Sequence, residues 1–297
     1  MEREQELAII RRAYAKQVLA EWQVDDPRLE LAFTQVRRED FLGPGPWVIP
    51  RWIGESRGRP AVEYVPTPSA DPVYLYVDNV VQVIAERNLN NGQPSGHAKW
   101  ITSASMKVGE HVVHIGTGTG YYTAIMASLV GPSGKVTGIE LDAGLAERAK
   151  ENLSSFPNVL IVNGDGTSVP FDAADVIYVN AGVNRLVDSW LERLIDGGRL
   201  IVPMTKMADD STSVGAVSVG AVFRIERRTS QFSVQWISLV AIIPCDGGAR
   251  DETSEAALAE AFKKDDWKRV TRLYRNNDDV PDDRCWLRGS GWCLAYD

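Results

Sequence analysis

The sequence is short of cysteine, histidine, positive charge and long apolar runs, and each shortage removes a class of protein. No stretch approaches the ~18 consecutive apolar residues of a membrane-spanning helix. The opening Met1-Glu2-Arg3-Glu4-Gln5-Glu6 carries charge where a secretory signal carries an apolar core. Cys245, Cys285 and Cys293 are too few and too scattered for a disulfide framework, so a reduced, cytoplasmic protein is expected. Acidic residues outnumber Lys and Arg 40 to 32, and the net charge of −8 argues against broad binding to a nucleic-acid backbone. What is there is the composition of a folded domain: 44% hydrophobic and 24% charged residues over 297 positions, with no internal repeat.

Periodicity divides the chain into three stretches. Leu7, Ile10, Tyr14 and Val18 fall at helical spacing, and Asp26-Pro27 opens a second helix. Residues 43–72 read as a long loop rich in Gly, Pro and Arg. Val73–Val77 and Val80–Ile84 read as a hairpin turning at Asp78-Asn79. From 110 to 204 the pattern is strand, loop, helix, repeated. Val112–Ile115, Val136–Ile139, Val159–Val162 and Val176–Val179 have the continuous apolar character of buried parallel strands. Helices are expected at Tyr121–Leu129, Ala143–Leu153 and Val183–Leu194, the last stopped by Gly197-Gly198 before strand Arg199–Pro203. Gly215–Glu226 and Phe232–Ile243 suggest an antiparallel hairpin, and Glu255–Tyr274 a further helix. The expected fold class is α/β: a doubly wound, mostly parallel, Rossmann-like sheet with N-terminal helices and a C-terminal helical extension. Residues 1–108 would form a substrate-side cap, 109–245 the catalytic domain, and 246–297 an extension packed on it.

The sharpest motif is Val112-Val113-His114-Ile115-Gly116-Thr117-Gly118-Thr119-Gly120-Tyr121, a strand entering a glycine loop that opens a helix. Glycine there lets a ligand lie against the main chain. A dinucleotide fingerprint, G-x-G-x-x-G, would put its third glycine at 121, which is Tyr. The spacing is G-x-G-x-G, the form that cradles S-adenosylmethionine. Glu140 ends the next strand, where an acid can accept from both ribose hydroxyls, with Leu141 beside it. Asp165-Gly166 follows the third strand, with Asp165 placed to accept from the adenine amino group. Three such elements at successive strand ends make S-adenosylmethionine the expected cofactor, contacting His114, Gly116, Thr117, Gly118, Gly120, Tyr121, Glu140, Leu141, Asp165, Gly166 and Asn180.

With these residues the chain resembles the protein-L-isoaspartate O-methyltransferase family over roughly residues 30 to 245. Ala32-Phe33 through Val36-Arg37-Arg38-Glu39-Asp40-Phe41, the Gln93-Pro94 pair, Phe171-Asp172 and Leu194–Pro203 (L-I-D-G-G-R-L-I-V-P) match the family's pattern. The resemblance implies methyl transfer to a carboxylate, or another oxygen or nitrogen, of a peptide or small molecule. Gly92 stands where the family's T-I-S-[AQ]-P turn carries a serine, His114 where it carries an acid, and Arg37 where it carries a proline. Loss of the serine would open volume beside the transferred methyl and disfavour isoaspartyl repair.

On the substrate side the candidates are Gly92, His97 as a general base and Asn180 after the fourth strand. His111 and most of the nine tryptophans read as packing residues. The acidic run at 278–283 lacks the alternation of a metal loop, and no metal is expected. A non-catalytic cofactor-binding module is the alternative from another class.

Overall fold

The computed structural model describes residues 2–56, 59–208, 217–275 and 280–297. The chain opens with α1 (Glu2–Ala20) and α2 (Pro27–Gln35), the latter capped by Asp26, whose Oδ1 accepts from the amides of Arg28 and Leu29. A hairpin of β1 (Val48–Ser56) and β2 (Arg59–Pro66) follows, then the short pair β3 (Gln82–Ile84) and β4 (Leu89–Asn90), and α3 (Pro94–Ala104). The alternating part runs β5 (His111–Ile115), α4 (Tyr121–Val130), β6 (Lys135–Glu140), α5 (Ala143–Asn152), β7 (Val159–Asn163), β8 (Ala174–Val179), α6 (Asp188–Arg193) and β9 (Leu194–Met207). Then come β10 (Ser218–Arg228), β11 (Gln231–Ile242), α7 (Glu252–Phe262), β12 (Val270–Arg275), β13 (Cys285–Gly289) and β14 (Trp292–Tyr296).

Among the described residues one sheet carries ten strands in the order β13-β14-β12-β11-β10-β9-β8-β5-β6-β7. The pairs β7–β6, β6–β5, β5–β8 and β8–β9 are parallel, and those from β9 outward to β13 are antiparallel. Chain order reverses between β5 and β8, which is the crevice where open α/β sheets bind ligands. The central strands are buried on both faces: Val112, Val113, Val176, Ile177 and Val179 have no measurable exposure. Arg199, from the Gly-Gly-Arg-Leu run, is buried in a two-pronged pair with Glu110 (3.0 and 2.8 Å) and also donates to Ala104 O and Ser105 O. It thereby ties β9 to the end of α3.

Several expectations are corrected. Residues 43–72 contain the β1–β2 hairpin; Pro50, Pro60 and Pro66 masked a two-stranded ladder, which tolerates proline where a central strand would not. The hairpin expected at 73–84 is absent. Pro72–Leu75 is a 3-10 turn capped by Asp71, and the carbonyls of Leu75, Val77 and Asn79 turn inward onto the fully buried Arg38 guanidinium. Asp78 accepts from the Ser95 amide and the Gln93 side chain instead of making a strand turn. The helix after β8 is only six residues because Gly182 and Val183 bridge to Pro244 and Met204. Gly197-Gly198 lies inside β9, where the register with β8 shifts, rather than ending a helix.

The C-terminal part is a helix plus three strands, not a long helix. After α7 the chain turns at Asp265, in a left-handed conformation, and Val270–Arg275 pairs with β14 and β11. Trp286 is 1% exposed and donates to Ala261 O, while α7 packs on β9 and β13. Cys285 and Cys293, read as scattered, face each other across the β13–β14 hairpin and are bonded, with Cα atoms 6.1 Å apart. Of the two expectations that touch other residues, the strand expected from Gly215 is described from residue 217 onward. Positions 278 and 279 of the acidic run lie outside the described residues. No helix of the described residues is long and apolar enough to cross a membrane.

Candidate active site

A cavity of about 520 Å³ opens at the carboxyl ends of β5, β6 and β8. The glycine loop after β5 forms one wall. Gly118 has φ +59°, and a Cβ built there meets nothing within 4 Å, so the main chain presents a bare face to the cavity. Glu140 braces the loop: Oε2 accepts from Gly118 N at 2.7 Å and Oε1 from Asp142 N at 3.0 Å. Each oxygen keeps a further lone pair. Burial raises the Glu140 pKa, partly offset by those amide donors. Such a carboxylate is under-solvated and suited to paired hydroxyl donors.

Asp165, Leu141, Thr117 and Gly166 also line the cavity. Asp165 accepts from Thr167 N (2.8 Å) and Gly248 N (2.9 Å). Partial burial opposes its ionisation, but these amides outweigh it and hold the carboxyl below the usual range. The carboxylate thus ties the third strand's loop to the chain after β11. Asn180 donates through Nδ2 to Gly116 O at 3.2 Å, which sets its amide plane against the loop. The bare face at Gly118 and the lone pairs of Glu140 fit an adenosine-bearing group with a ribose diol.

Opposite the loop stands His97, 2% exposed. Its ring stacks on Tyr122 with centroids 3.6 Å apart, and Nδ1 meets Tyr178 Oη at 2.8 Å. Burial, helped by the nearby His114 and Arg38, pushes its pKa well below the ordinary histidine value, so the ring is neutral. Gly92 has φ +77°, and a Cβ there would lie 2.3 Å from His97 Nε2. The volume expected to open at Gly92 is therefore filled by the imidazole. Tyr122 Oη closes the arrangement by donating to Gly92 O at 2.9 Å.

Two expected cofactor contacts, His114 and Gly120, are corrected, while Tyr121 lines the cavity. His114 has no exposure, lies off the cavity and pairs with Thr123 Oγ1 at 2.8 Å, because its side chain leaves β5 toward α4. Burial lowers its pKa to about 3. Gly120 does not line the cavity but turns the loop into α4. Tyr121 lines it with its ring, while its hydroxyl points to Tyr14 Oη at 3.4 Å among the N-terminal helices.

Sequence reasoning passed over Tyr178, Tyr122 and Arg87. Tyr178 sits two residues before Asn180 on β8, and only the strand's alternation hinted at it. Arg87 bridges Asp142 (2.5 Å) and Asp246 (3.0 Å) beside the cavity, a contact spanning 159 positions that no local pattern encodes. Trp22, read as a packing residue, is 43% exposed at the cavity wall. His111 is structural, joined to Ala173 O and Thr137.

The family model for protein-L-isoaspartate(D-aspartate) O-methyltransferase matches residues 60–239, more than half of the chain. The chain belongs to this family. A family member from Thermotoga maritima is 32% identical over 193 residues, covering 63% of this chain and 53% of its own length. One from Archaeoglobus fulgidus is 40% identical over 147 residues, covering 45% and 67% respectively. The chain thus spans about half the length of the Thermotoga relative. A solved protein-L-isoaspartate O-methyltransferase superposes with a TM-score of 0.61 at 26% identity, over 85% of this chain and 69% of that one. The Plasmodium falciparum structure, a putative family enzyme solved with S-adenosyl-L-homocysteine, shares the fold at 17% identity and TM-score 0.58, over 79% of this chain and 97% of that one.

Proposed function

We propose that this chain is an S-adenosylmethionine-dependent methyltransferase whose acceptor is a carboxylate, or another oxygen or nitrogen group, of a peptide or small molecule. The observation that carries the reading is Glu140, a desolvated carboxylate pinned to the bare Gly118 turn at the switch point of the sheet. The cofactor supplies an already activated sulfonium methyl group. The chain's own work is orientation. Glu140 would hold the ribose hydroxyls, the 116–118 backbone would carry the methionine part, and Asp165 would meet the adenine end. Asn180 is fixed through Nδ2 on Gly116 O and walls the cavity beside the glycine loop.

His97 serves as a neutral positioning group. Its lowered pKa makes it a weak base, which favours an acceptor that is already anionic over a hydroxyl or ammonium that must first lose a proton. Because the imidazole fills the space beside Gly92, the acceptor meets a ring nitrogen there, and we propose a substrate other than a general isoaspartyl protein. The genuine repair enzyme is the second reading, favoured by the family match over 60–239. Methyl transfer to an isoaspartyl peptide, run beside the Thermotoga maritima relative, tests both. Turnover within tenfold of that relative establishes repair. Transfer to a normal aspartyl or other acceptor with little isoaspartyl turnover supports the main reading. Cofactor binding with no transfer to any acceptor would make the chain a binding module.

A further inference from the structure

The acceptor end of the cavity contains a buried hydroxyl whose proton has one place to go. Tyr178, on β8, has no measurable exposure, and its Oη meets His97 Nδ1 at 2.8 Å. That hydroxyl has no other hydrogen-bond partner among the described residues. His114 stands edge-on to the Tyr178 ring with centroids 5.5 Å apart, but its Nδ1 is taken by Thr123 and its Nε2 touches no partner. Burial raises the Tyr178 phenol well above its ordinary value, so the phenol keeps its proton. A buried O–H either donates or is left unpaired at a cost. Tyr178 therefore donates to His97 Nδ1.

A ring nitrogen that accepts carries no proton. His97 is neutral, so its single ring proton sits on Nε2. The opposite tautomer would set Nδ1–H against the phenol and strand the phenol proton in the core. Nε2 has no hydrogen-bond partner among the described residues, and His97 lines the cavity. What borders Nε2 is Gly92: a Cβ there would lie 2.3 Å from Nε2 and 2.9 Å from Cδ2. Any side chain at 92 would cover the N–H, and glycine leaves it open. The bare turn is itself held in place, with Gly92 N donating to Asn90 Oδ1 and Gly92 O accepting from Tyr122 Oη, both at 2.9 Å. The imidazole plane is fixed as well, stacked on Tyr122 and tilted against Trp100 with centroids 5.1 Å apart.

Resting on the methyltransferase reading above, we propose that Tyr178 is a positioning residue that locks His97 as an Nε2–H donor, and that this donor, left uncovered by Gly92, holds an oxygen of the acceptor. Tyr178 does not touch the acceptor and acts only through the imidazole. A fixed N–H selects by lone pairs. An ammonium has only protons to offer it. A neutral amine could accept only through the lone pair that has to attack the methyl carbon. A carboxylate gives one oxygen to Nε2–H and keeps the other free to attack. It then becomes a methyl ester as the methyl–sulfur electron pair stays on sulfur, and no proton has to move. Gly92, His97 and Tyr178 thus work as one unit that favours oxygen over nitrogen acceptors.

The first measurement uses the intact chain and needs neither a variant that folds nor an acceptor. Histidine labelled with nitrogen-15 gives three imidazoles to observe by NMR, and the signals lost in His97→Gln belong to His97. The His97 proton should be found on Nε2, with Nδ1 bare and hydrogen-bonded; a proton on Nδ1 overturns the proposal. In Tyr178→Phe the Nδ1 resonance should move to that of a nitrogen without a hydrogen bond, and no movement overturns the lock. Oxygen selection is read with propionate and propylamine as minimal acceptors, added to the chain saturated with S-adenosylhomocysteine. Propionate should shift the His97 Nε2 resonance saturably, and propylamine should not. Tyr178→Phe and His97→Phe, which keeps a ring over Tyr122 but has no N–H, should each weaken propionate about tenfold, the worth of one hydrogen bond. His97→Gln retains a donor and should stay within about threefold of the parent. The S-adenosylhomocysteine Kd should be unchanged in all three; loss of both ligands together would make Tyr178 merely structural and overturn the proposal. No shift with propionate, or an equal one with propylamine, overturns it too. Failure of the unmutated chain to bind S-adenosylhomocysteine sinks the methyltransferase reading instead, and the tautomer is measured independently of it.

Discussion

Replacing Gly92 by alanine isolates the contact on which the acceptor side is built. The substitution adds one carbon, which would lie 2.3 Å from His97 Nε2, at a backbone φ of +77°. The left-handed conformation costs an L-residue about 1–2 kcal/mol. The clash falls on a ring held from both sides, so His97 must leave its place. It then loses the 2.8 Å bond to Tyr178, worth about 1 kcal/mol, and its stacking on Tyr122, worth about 0.5–1.5 kcal/mol. The expected destabilisation is roughly 3–4 kcal/mol. At about 2 °C per kcal/mol for a chain of this size, Tm should fall by about 6–8 °C. Urea unfolding of Gly92→Ala, His97→Ala and the double variant separates the two parts. Once His97 is gone only the backbone cost remains, so the double variant should be about 1.5–2.5 kcal/mol more stable than additivity predicts. A Gly92→Ala protein within about 0.5 kcal/mol of the parent, or strictly additive costs, would refute the coupling.

Other consequences follow from buried charge and buried imidazole. Arg199→Met leaves Glu110 buried without its partner and should cost about 3–5 kcal/mol in urea unfolding, whereas an exposed pair such as Lys135–Asp172 should matter by less than about 1 kcal/mol. His114 is held neutral down to about pH 3, against 6.5 for the free side chain. Its contribution to stability is therefore full above pH 6.5 and is lost as pH falls, by about 2 kcal/mol at pH 5. His114→Gln should remove that share of the acid sensitivity, read as a flatter slope of unfolding free energy between pH 6.5 and 5. His97 is shifted in the same direction and should behave likewise. Glu140→Ala should weaken S-adenosylhomocysteine by roughly 1.5–3 kcal/mol in calorimetry, the worth of hydrogen bonds to a charged acceptor.

The parallel half of the fold was legible because each of its strands is buried on both faces and reads as an unbroken apolar run between helical patterns. The glycine loop and Glu140 were legible for a related reason: strand-end positions are fixed once the strands are. The loop's neighbours were not. His114 sits in the motif, yet strand direction sends its side chain to Thr123 rather than to the cavity. The hairpin at 73–84 failed because Arg38, some forty residues earlier, collects the carbonyls that a strand would have paired. Gly92 was noticed as a departure, but its meaning lies in His97, five residues on and folded back against it. The C-terminal strands were hidden because Val270–Arg275 follows an apolar helix without a proline or glycine break, and its ladder partner Trp292–Tyr296 lies about twenty residues downstream.

The most direct test of the central claim is a calorimetric titration of the purified chain with S-adenosylhomocysteine, repeated with NAD and with Gly118→Val. Nothing lies within 4 Å of a Cβ at Gly118, so valine there projects into the cavity without striking the protein; its left-handed backbone, φ +59°, costs about 1–2 kcal/mol, and urea unfolding of the variant checks that it stays folded. The account predicts one-site binding of S-adenosylhomocysteine by the parent, none by Gly118→Val, and no comparable binding of NAD. Absence of binding by the parent, or tighter binding of NAD, would contradict it.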